Sequence, residues 1–407
     1  MMLEIKHSKV DWTIVFCVFL FALYSLLAVY SATFTAESKV SLTFQKQVVW
    51  ILVGLVVGGV VTFVPTSWLA AIAYPAYSFL LILLLMLEAL KLGDPTGRWF
   101  VIAGIKFQPS EFMKPILVMT VARYLNNNLR SPDDIKTLAS VFVIIAIPFV
   151  LVLKQPDLGT SLTFLAIYIP MLYWRGMSAF KVFMLLAPFF TFVASFNFWS
   201  FFLVILLISL VLFLSRRGVL IFWSAFSLNV SVGLIAPMVW NRLHEYQQQR
   251  ILTFLGLVSD PKGMGYQIIQ SKVAIGSGGA FGKGFLHGSQ TQLRFLPAQH
   301  TDFIFSVIAE EWGFVGAILL ILIFVLFLYR GIYIAHATKN RFAGLMTIGL
   351  VTIFAFQIFV NVGMTLGIMP VTGLPLPFIS YGGSSMLTSM LMAGLIANTY
   401  VHRYSYN

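Results

Sequence analysis

The sequence predicts an all-α polytopic membrane protein: a helical bundle with a large extracytoplasmic loop ahead of its third-last span. Composition predicts it first. The 407-residue chain is 59% hydrophobic and 10% charged, whereas a soluble chain of this length carries roughly a quarter charged residues. Periodic apolar runs predict it next, about twelve of them near the twenty-residue length that crosses a bilayer. Finally, the polar residues not needed for anchoring gather in a few segments between the runs.

Taken in order, the first run spans roughly 12–32. It follows MMLEIKHSK and shows no small-residue cleavage site, so it reads as a retained helix. It contains Cys17, the single cysteine, which leaves no partner for an intrachain disulfide and no thiolate metal cluster. Further runs lie near 46–64, 68–90, 108–125, 137–154 and 158–174. The 108–125 run is the weakest, because Glu111 and Lys114 fall within it. The 179–214 region reads as two short spans or a re-entrant pair, and 218–240 as one span. A polar segment, 241–302, is too long for a mere connection. Runs near 303–329, 342–366 and 383–402 complete the chain. The whole of 1–407 reads as one integral membrane domain.

Lys and Arg in the short loops set the orientation. With the N-terminus inside, Lys6, Lys9, Arg123, Arg130, Lys136, Arg175, Lys181, Arg216, Arg217, Arg330, Lys339, Arg341 and Arg403 fall on the inner side. Four segments then face outward: KLGDPTGRWFVIAGIKFQPSE (91–111), KQPDLGT (154–160), the 241–302 loop, and IMPVTGLPLPFISYGGSS (368–385). The net charge of +12 suits anionic lipid rather than nucleic acid, since there is no basic soluble domain to hold a polynucleotide.

The 241–302 loop is strongly basic, with Arg242, Arg250, Lys262, Lys272, Lys283 and Arg294. Between Glu245 and Asp302 its only acid is Asp260. Such an isolated carboxylate is either a structural partner for one of those cations or a base or metal ligand in an anion-binding site. GYQIIQSKVAIGSGG is too short to span and reads as an interfacial or re-entrant helix. The glycines of GGAFGKGF would let backbone N–H groups approach an anion. Glu111 and Lys114, three apart on one helix, share a face and form either a structural lock or part of a polar cavity. Asp157 precedes a helix and can cap it. Arg98 beside Trp99 can snorkel or bind. His287 and His300 are acid/base candidates or loop hydrogen-bonders. Asp302 heads a span, with Glu310 and Glu311 deeper, facing cations on neighbouring helices. No P-loop, dinucleotide fingerprint or HExxH motif is present. These residues describe an outward cationic site for an anionic, lipid-linked substrate, and leave open whether that substrate is moved or reacted.

Several motifs resemble one family. GRW (97–99), FQPSEFMK (107–114), KQPDLGTS (154–161), HEYQQQR (244–250), SDPKGMGYQIIQSKVAIGSGG (259–279), GKGFLHGSQTQLRFLP (282–297), HTDFIF (300–305) and PLPFISYGGSS (375–385) are similar to those of the SEDS (shape, elongation, division, sporulation) proteins, in the same order. The tract 266–305 resembles the rod-shape branch more than the division branch. The resemblance implies a peptidoglycan glycosyltransferase for cell elongation. Its substrate would be lipid II, a disaccharide-pentapeptide on undecaprenyl pyrophosphate, polymerised at the outer face of the bacterial cytoplasmic membrane. It implies Asp260 as the general base. It implies Arg98 and Lys114 on the leaving pyrophosphate, Lys272 and Lys283 behind them, and Glu111 orienting Lys114, with His300 and Asp302 in the substrate site. It also implies a class B penicillin-binding protein as partner and a divalent cation (Mg or Mn) as cofactor, with no ligand cluster visible in the sequence. The alternatives are a flippase for lipid-linked precursors, the division-type polymerase, or a non-catalytic scaffold. Two departures stand out. Gly256 and Ala298 occupy positions where many members carry acids. And 179–214 reads as a two-helix insertion into about ten family spans.

Overall fold

The computed structural model describes residues 10–34, 40–90, 97–102, 105–216, 218–242, 248, 252, 264–293, 295–296 and 298–404. The first three helices are α1 (Trp12–Thr33), α2 (Leu42–Thr62) and α3 (Thr66–Leu90). A hairpin of β1 (Phe100–Ile102) and β2 (Ile105–Phe107) pairs antiparallel, Phe100 opposite Phe107. Then come α4 (Pro109–Asn127), α5 (Ile135–Lys154), α6 (Leu158–Ala166), α7 (Tyr168–Trp174), α8 (Ala179–Ala194), α9 (Phe198–Leu214) and α10 (Val219–Arg242). The last elements are α11 (Met264–Ser277), the single turn α12 (Ser289–Gln292), α13 (Ile304–Ala337), α14 (Arg341–Thr365) and α15 (Gly383–Val401). Among the described residues, 7 helices are long and apolar enough to cross a membrane: α1, α2, α3, α5, α10, α13 and α14. The protein is a multi-pass membrane protein. The run at 158–174 is divided between α6 and α7 around Ile167, and 179–214 forms two separate helices with a tight turn between them.

Prolines inside membrane helices free carbonyls four residues back, and neighbours must satisfy them. Pro148 in α5 frees the Ile144 carbonyl, which accepts the Tyr77 hydroxyl at 2.7 Å. Pro75 in α3 frees the Ala71 carbonyl, which accepts Arg123 Nη1 at 2.9 Å. Helix starts are capped from the sequence. Asp11 accepts from the Thr13 and Ile14 amides and pairs with Arg330 at 2.8 Å, pinning α1 to α13.

The bundle closes through small residues. A Cβ at Gly54 would lie 2.7 Å from Met390, and one at Gly394 2.4 Å from the Gly58 carbonyl, so α2 and α15 touch backbone to backbone. At mid-bundle, Phe21 stacks on Phe324 (4.4 Å) and Phe378 (5.0 Å), and Phe354 on Phe378 (5.1 Å). Phe378 belongs to the Pro/Gly-rich segment before α15. It holds a left-handed backbone, φ 63°, which costs a non-glycine residue about 1–2 kcal/mol. Its ring in the aromatic cluster offsets that cost.

α13 is broken at Gly313 (φ 65°, ψ −163°). The break disrupts the helical ladder, and the glycine-rich segment 278–284 completes it. The amides of Lys283 and Gly284 donate to the Glu310 and Glu311 carbonyls, both at 3.0 Å. The amides of Phe314 and Val315 donate to Gly279 and Ala280, at 2.9 and 3.0 Å. Only glycine allows this approach. A Cβ on Gly282, which sits at φ +81°, would lie 2.0 Å from the Glu311 carbonyl oxygen. Gly282→Ala is therefore expected to destabilise the protein by about 3 kcal/mol or more. Gly279→Ala, with φ +57° but open space around it, should cost only about 1 kcal/mol. Thermal midpoints in detergent check the ranking, and equal losses would contradict the close-approach reading.

Candidate active site

The N-termini of α2, α4, α6 and α15 converge on a cavity of about 850 Å3 at one end of the bundle. The aligned dipoles of helix N-termini favour negative charge there. The cavity wall carries the cations Lys46, Arg98 and Lys106 and the carboxylates Glu111, Asp157 and Asp302. Trp50, Trp99 and Tyr381 add aromatic faces.

Each charged group is fixed by its own element. Pro109 starts α4, and Glu111 lies in its first turn. One turn further, Lys114 is fully buried, with Nζ 2.6 Å from Glu111 Oε1. This inverts the expected order: the carboxylate stands at the cavity wall and the ammonium behind it. Arg98 does not snorkel. Its Nε donates to the Gln155 carbonyl at 2.8 Å and its Nη2 to the Pro156 carbonyl, clamping the α5–α6 turn at a helix C-terminus. Asp157 caps α6, accepting from the Thr160 amide (3.1 Å) and hydroxyl (3.0 Å), and also accepts from Gln108 Nε2 (3.2 Å).

Asp302 lies on a turn interlocked with the segment before α15. The Tyr381 amide donates to the His300 carbonyl at 2.9 Å, and the Ser380 hydroxyl to the Thr301 carbonyl at 2.6 Å. Asn361 Nδ2 bridges the Asp302 and Leu374 carbonyls at 2.9 and 2.8 Å. The His300 ring lies 5.7 Å from the Tyr381 ring. Burial holds the His300 imidazole below its usual range, so it is neutral at pH 7. Burial raises the Tyr381 phenol, which stays protonated.

Of the residues expected at a site, Arg98, Glu111 and Asp302 line the cavity, Lys114 lies behind Glu111, and His300 lies behind Tyr381. Lys272 and Lys283 are elsewhere. The Lys272 ammonium end lies against Gly367 at the C-terminus of α14. Lys283 pairs with Glu310 at 2.9 Å and donates to Ser277 and Ser289, both at 2.7 Å. Glu310 also accepts the Gln290 and Thr291 amides that open α12. Its cation comes from the glycine-rich segment and not from a neighbouring helix. Glu311 meets no cation at ion-pair distance among the described residues; it accepts from the Ser31 hydroxyl on α1. The amides of Gly282, Lys283 and Gly284 are engaged within the protein, so the expectation that they receive an anion is not met at those positions. His287 Nδ1 bonds its own loop, at the Phe285 carbonyl. Asp260 falls within 253–263, outside the described residues. Sequence reasoning missed Lys46, Lys106, Gln108 and Tyr381 as cavity-lining residues. Their signal was position: each stands within a few residues of a helix start at this end of the bundle.

The sequence profile of the FtsW/RodA/SpoVE cell cycle proteins matches residues 11–204 and 182–405. The chain belongs to this family. It is 36% identical over 398 residues to the peptidoglycan glycosyltransferase MrdB of Escherichia coli K12, covering 97% of this chain and 94% of that protein. A solved relative comes from work on the structural coordination of polymerization and crosslinking by a peptidoglycan synthase complex. It shares 30% identity, covers 98% of this chain and 99% of its own, and superposes with a TM-score of 0.71. The crystal structure of the rod shape determining protein RodA of Thermus thermophilus shares 26% identity, covers 98% of both chains and gives a TM-score of 0.63.

Proposed function

We propose that this family member is a peptidoglycan glycosyltransferase that polymerises lipid II into glycan strands for cell elongation. The carrying observation is the cavity at one end of the bundle, where, among the described residues, three cations and three carboxylates meet four helix N-termini. A pyrophosphate-linked sugar needs such a site: positive potential for the phosphates, polar and aromatic walls for the sugar. A transporter would place its essential charges near the bilayer midplane, and here they stand at the helix ends.

In this reading the acceptor sugar's 4-hydroxyl attacks C1 of the donor. Its proton passes to Asp260, and the lipid pyrophosphate leaves with inversion. Arg98, Lys46 and Lys106 face the developing phosphate charge. Lys114 holds Glu111 at the wall and is a positioning residue. Among the described residues no group of three His, Cys, Asp or Glu side chains could hold a metal, and no step is assigned to one. The site faces outward across the bacterial cytoplasmic membrane, as the Lys and Arg distribution implies. A class B penicillin-binding protein is the partner that would cross-link the strands. The 179–214 pair is read as an insertion. Both profile matches reach into it, and α8 and α9 pack chiefly on α10 around their own apolar cluster of Ala187, Ile208, Leu212 and Ala225.

Purified protein in detergent, given lipid II alone, is expected to yield glycan strands resolvable by gel. Movement of lipid II across a vesicle without any polymer would overturn the enzyme reading in favour of transport.

A further inference from the structure

At the opposite end of the bundle lies a second cavity, of about 490 Å3, between the start of α3, the end of α4 and the α13–α14 turn. Arg123, Lys339 and Arg341 converge on it, and no carboxylate is among its described lining residues. Arg123 is held in place. One of its nitrogens, Nη1, donates to the Ala70 and Ala71 carbonyls at 2.6 and 2.9 Å, and the guanidinium lies 4.5 Å from the centre of the Tyr74 ring. That satisfies the carbonyl freed by Pro75, and one nitrogen is enough for it. Nε and Nη2 have no hydrogen-bond partner among the described residues. Beside them stands the N-terminus of the 25-residue helix α14. Asn340 caps its Ala343 amide at 3.1 Å. The amides of Arg341 and Phe342, at the head of that helix, are among those without an intrahelical acceptor.

We infer that this cavity binds a phosphate-bearing anion, the headgroup of an anionic phospholipid. A guanidinium fork, an ammonium and a helix N-terminus are the groups that recognise phosphate. The location selects the lipid. The cavity lies at the ends of spanning helices, and Trp68 (73% exposed) and Phe63 (60% exposed) flank the adjoining α2–α3 turn, as aromatic residues do at headgroup level. On the Lys and Arg distribution this is the cytoplasmic leaflet. General anchoring to that leaflet accounts for the sign of the charges. It does not account for three cations sharing one cavity, one of them a pre-positioned arginine. The inference is independent of the proposed enzymatic activity.

The test is native mass spectrometry of the full chain, titrated with phosphatidylglycerol and, separately, with inorganic phosphate. One saturable phosphatidylglycerol per chain is expected. Arg123→Lys keeps the charge and a donor for Ala71 but loses the fork. Arg341→Gln removes a cation at an exposed position where folding is not at risk. Each should weaken binding about tenfold. Arg130→Gln lies at the same end but outside the cavity, with its side chain 56% exposed, and should leave binding unchanged. If inorganic phosphate binds with the same variant dependence and displaces the lipid, the site stands with free phosphate as its ligand. Lipid binding that falls equally in all three variants, or survives both Arg123→Lys and Arg341→Gln, or is absent from the wild type, overturns the inference.

Discussion

Asp260→Asn is expected to fold, bind lipid II and polymerise it at least about a hundredfold more slowly, since a positioned general base contributes roughly 10²–10⁴ in rate. Asparagine matches aspartate in size and can still accept a hydrogen bond, so loss of binding is not the expected defect. What it cannot do is take the acceptor hydroxyl's proton as the glycosidic bond forms. The loss should therefore appear in kcat with KM little changed. The acidic limb of the wild-type pH–rate profile, where the base becomes protonated, should vanish in the variant. An Asp260→Asn enzyme with more than about a tenth of wild-type kcat would remove Asp260 from that role.

Glu111→Ala should be among the most destabilising changes in the bundle. Lys114 is fully buried and its ammonium is held by Glu111 at 2.6 Å. Removing one partner of such a pair leaves an uncompensated buried charge, at a cost of about 3–5 kcal/mol. Lys114→Ala should be damaging for the same reason. The double replacement Glu111→Leu with Lys114→Met removes both charges and keeps volume, so it should recover most of the stability. It should not recover polymerisation, because Glu111 lines the cavity. Thermal midpoints and the glycan assay together separate the two roles. A Glu111→Ala protein as stable as wild type would mean that the buried ammonium has other support. A double variant that is stable and active would make the pair a structural lock only.

Seven of the twelve expected spans form helices long and apolar enough to cross a membrane among the described residues, and these were legible because apolar length is a one-dimensional signal. α4 was found as a helix despite Glu111 and Lys114, since those two residues share one face and the stretch from Pro115 to Ala122 is mostly apolar. The site was legible in part. Glu111, Arg98 and Asp302 announced themselves as costly charges beside membrane spans. Lys46 and Lys106 did not, because a lysine near a helix end is ordinarily an anchor, and only the convergence of α2 and the hairpin on one cavity makes it more. The glycine-rich segment was read for the wrong partner. Its permissive backbone was plain, but the break at Gly313 that it repairs could not be read from one glycine after Glu310 and Glu311 in an otherwise apolar run. The order of Glu111 and Lys114 at the wall was equally hidden, because spacing gives a shared face and not depth.

The tight seam between α2 and α15 bears on how the chain is made. Gly54 and Gly58 are synthesised more than three hundred residues before Met390 and Gly394, which fill their surfaces. Until then α2 has no mate on that side, and the cavity lacks the wall from Tyr381 to Ser385. A nascent or truncated chain is thus held without a finished site. The site is complete only once α15 has been made, so a copy that stops before α15 is expected to be inert.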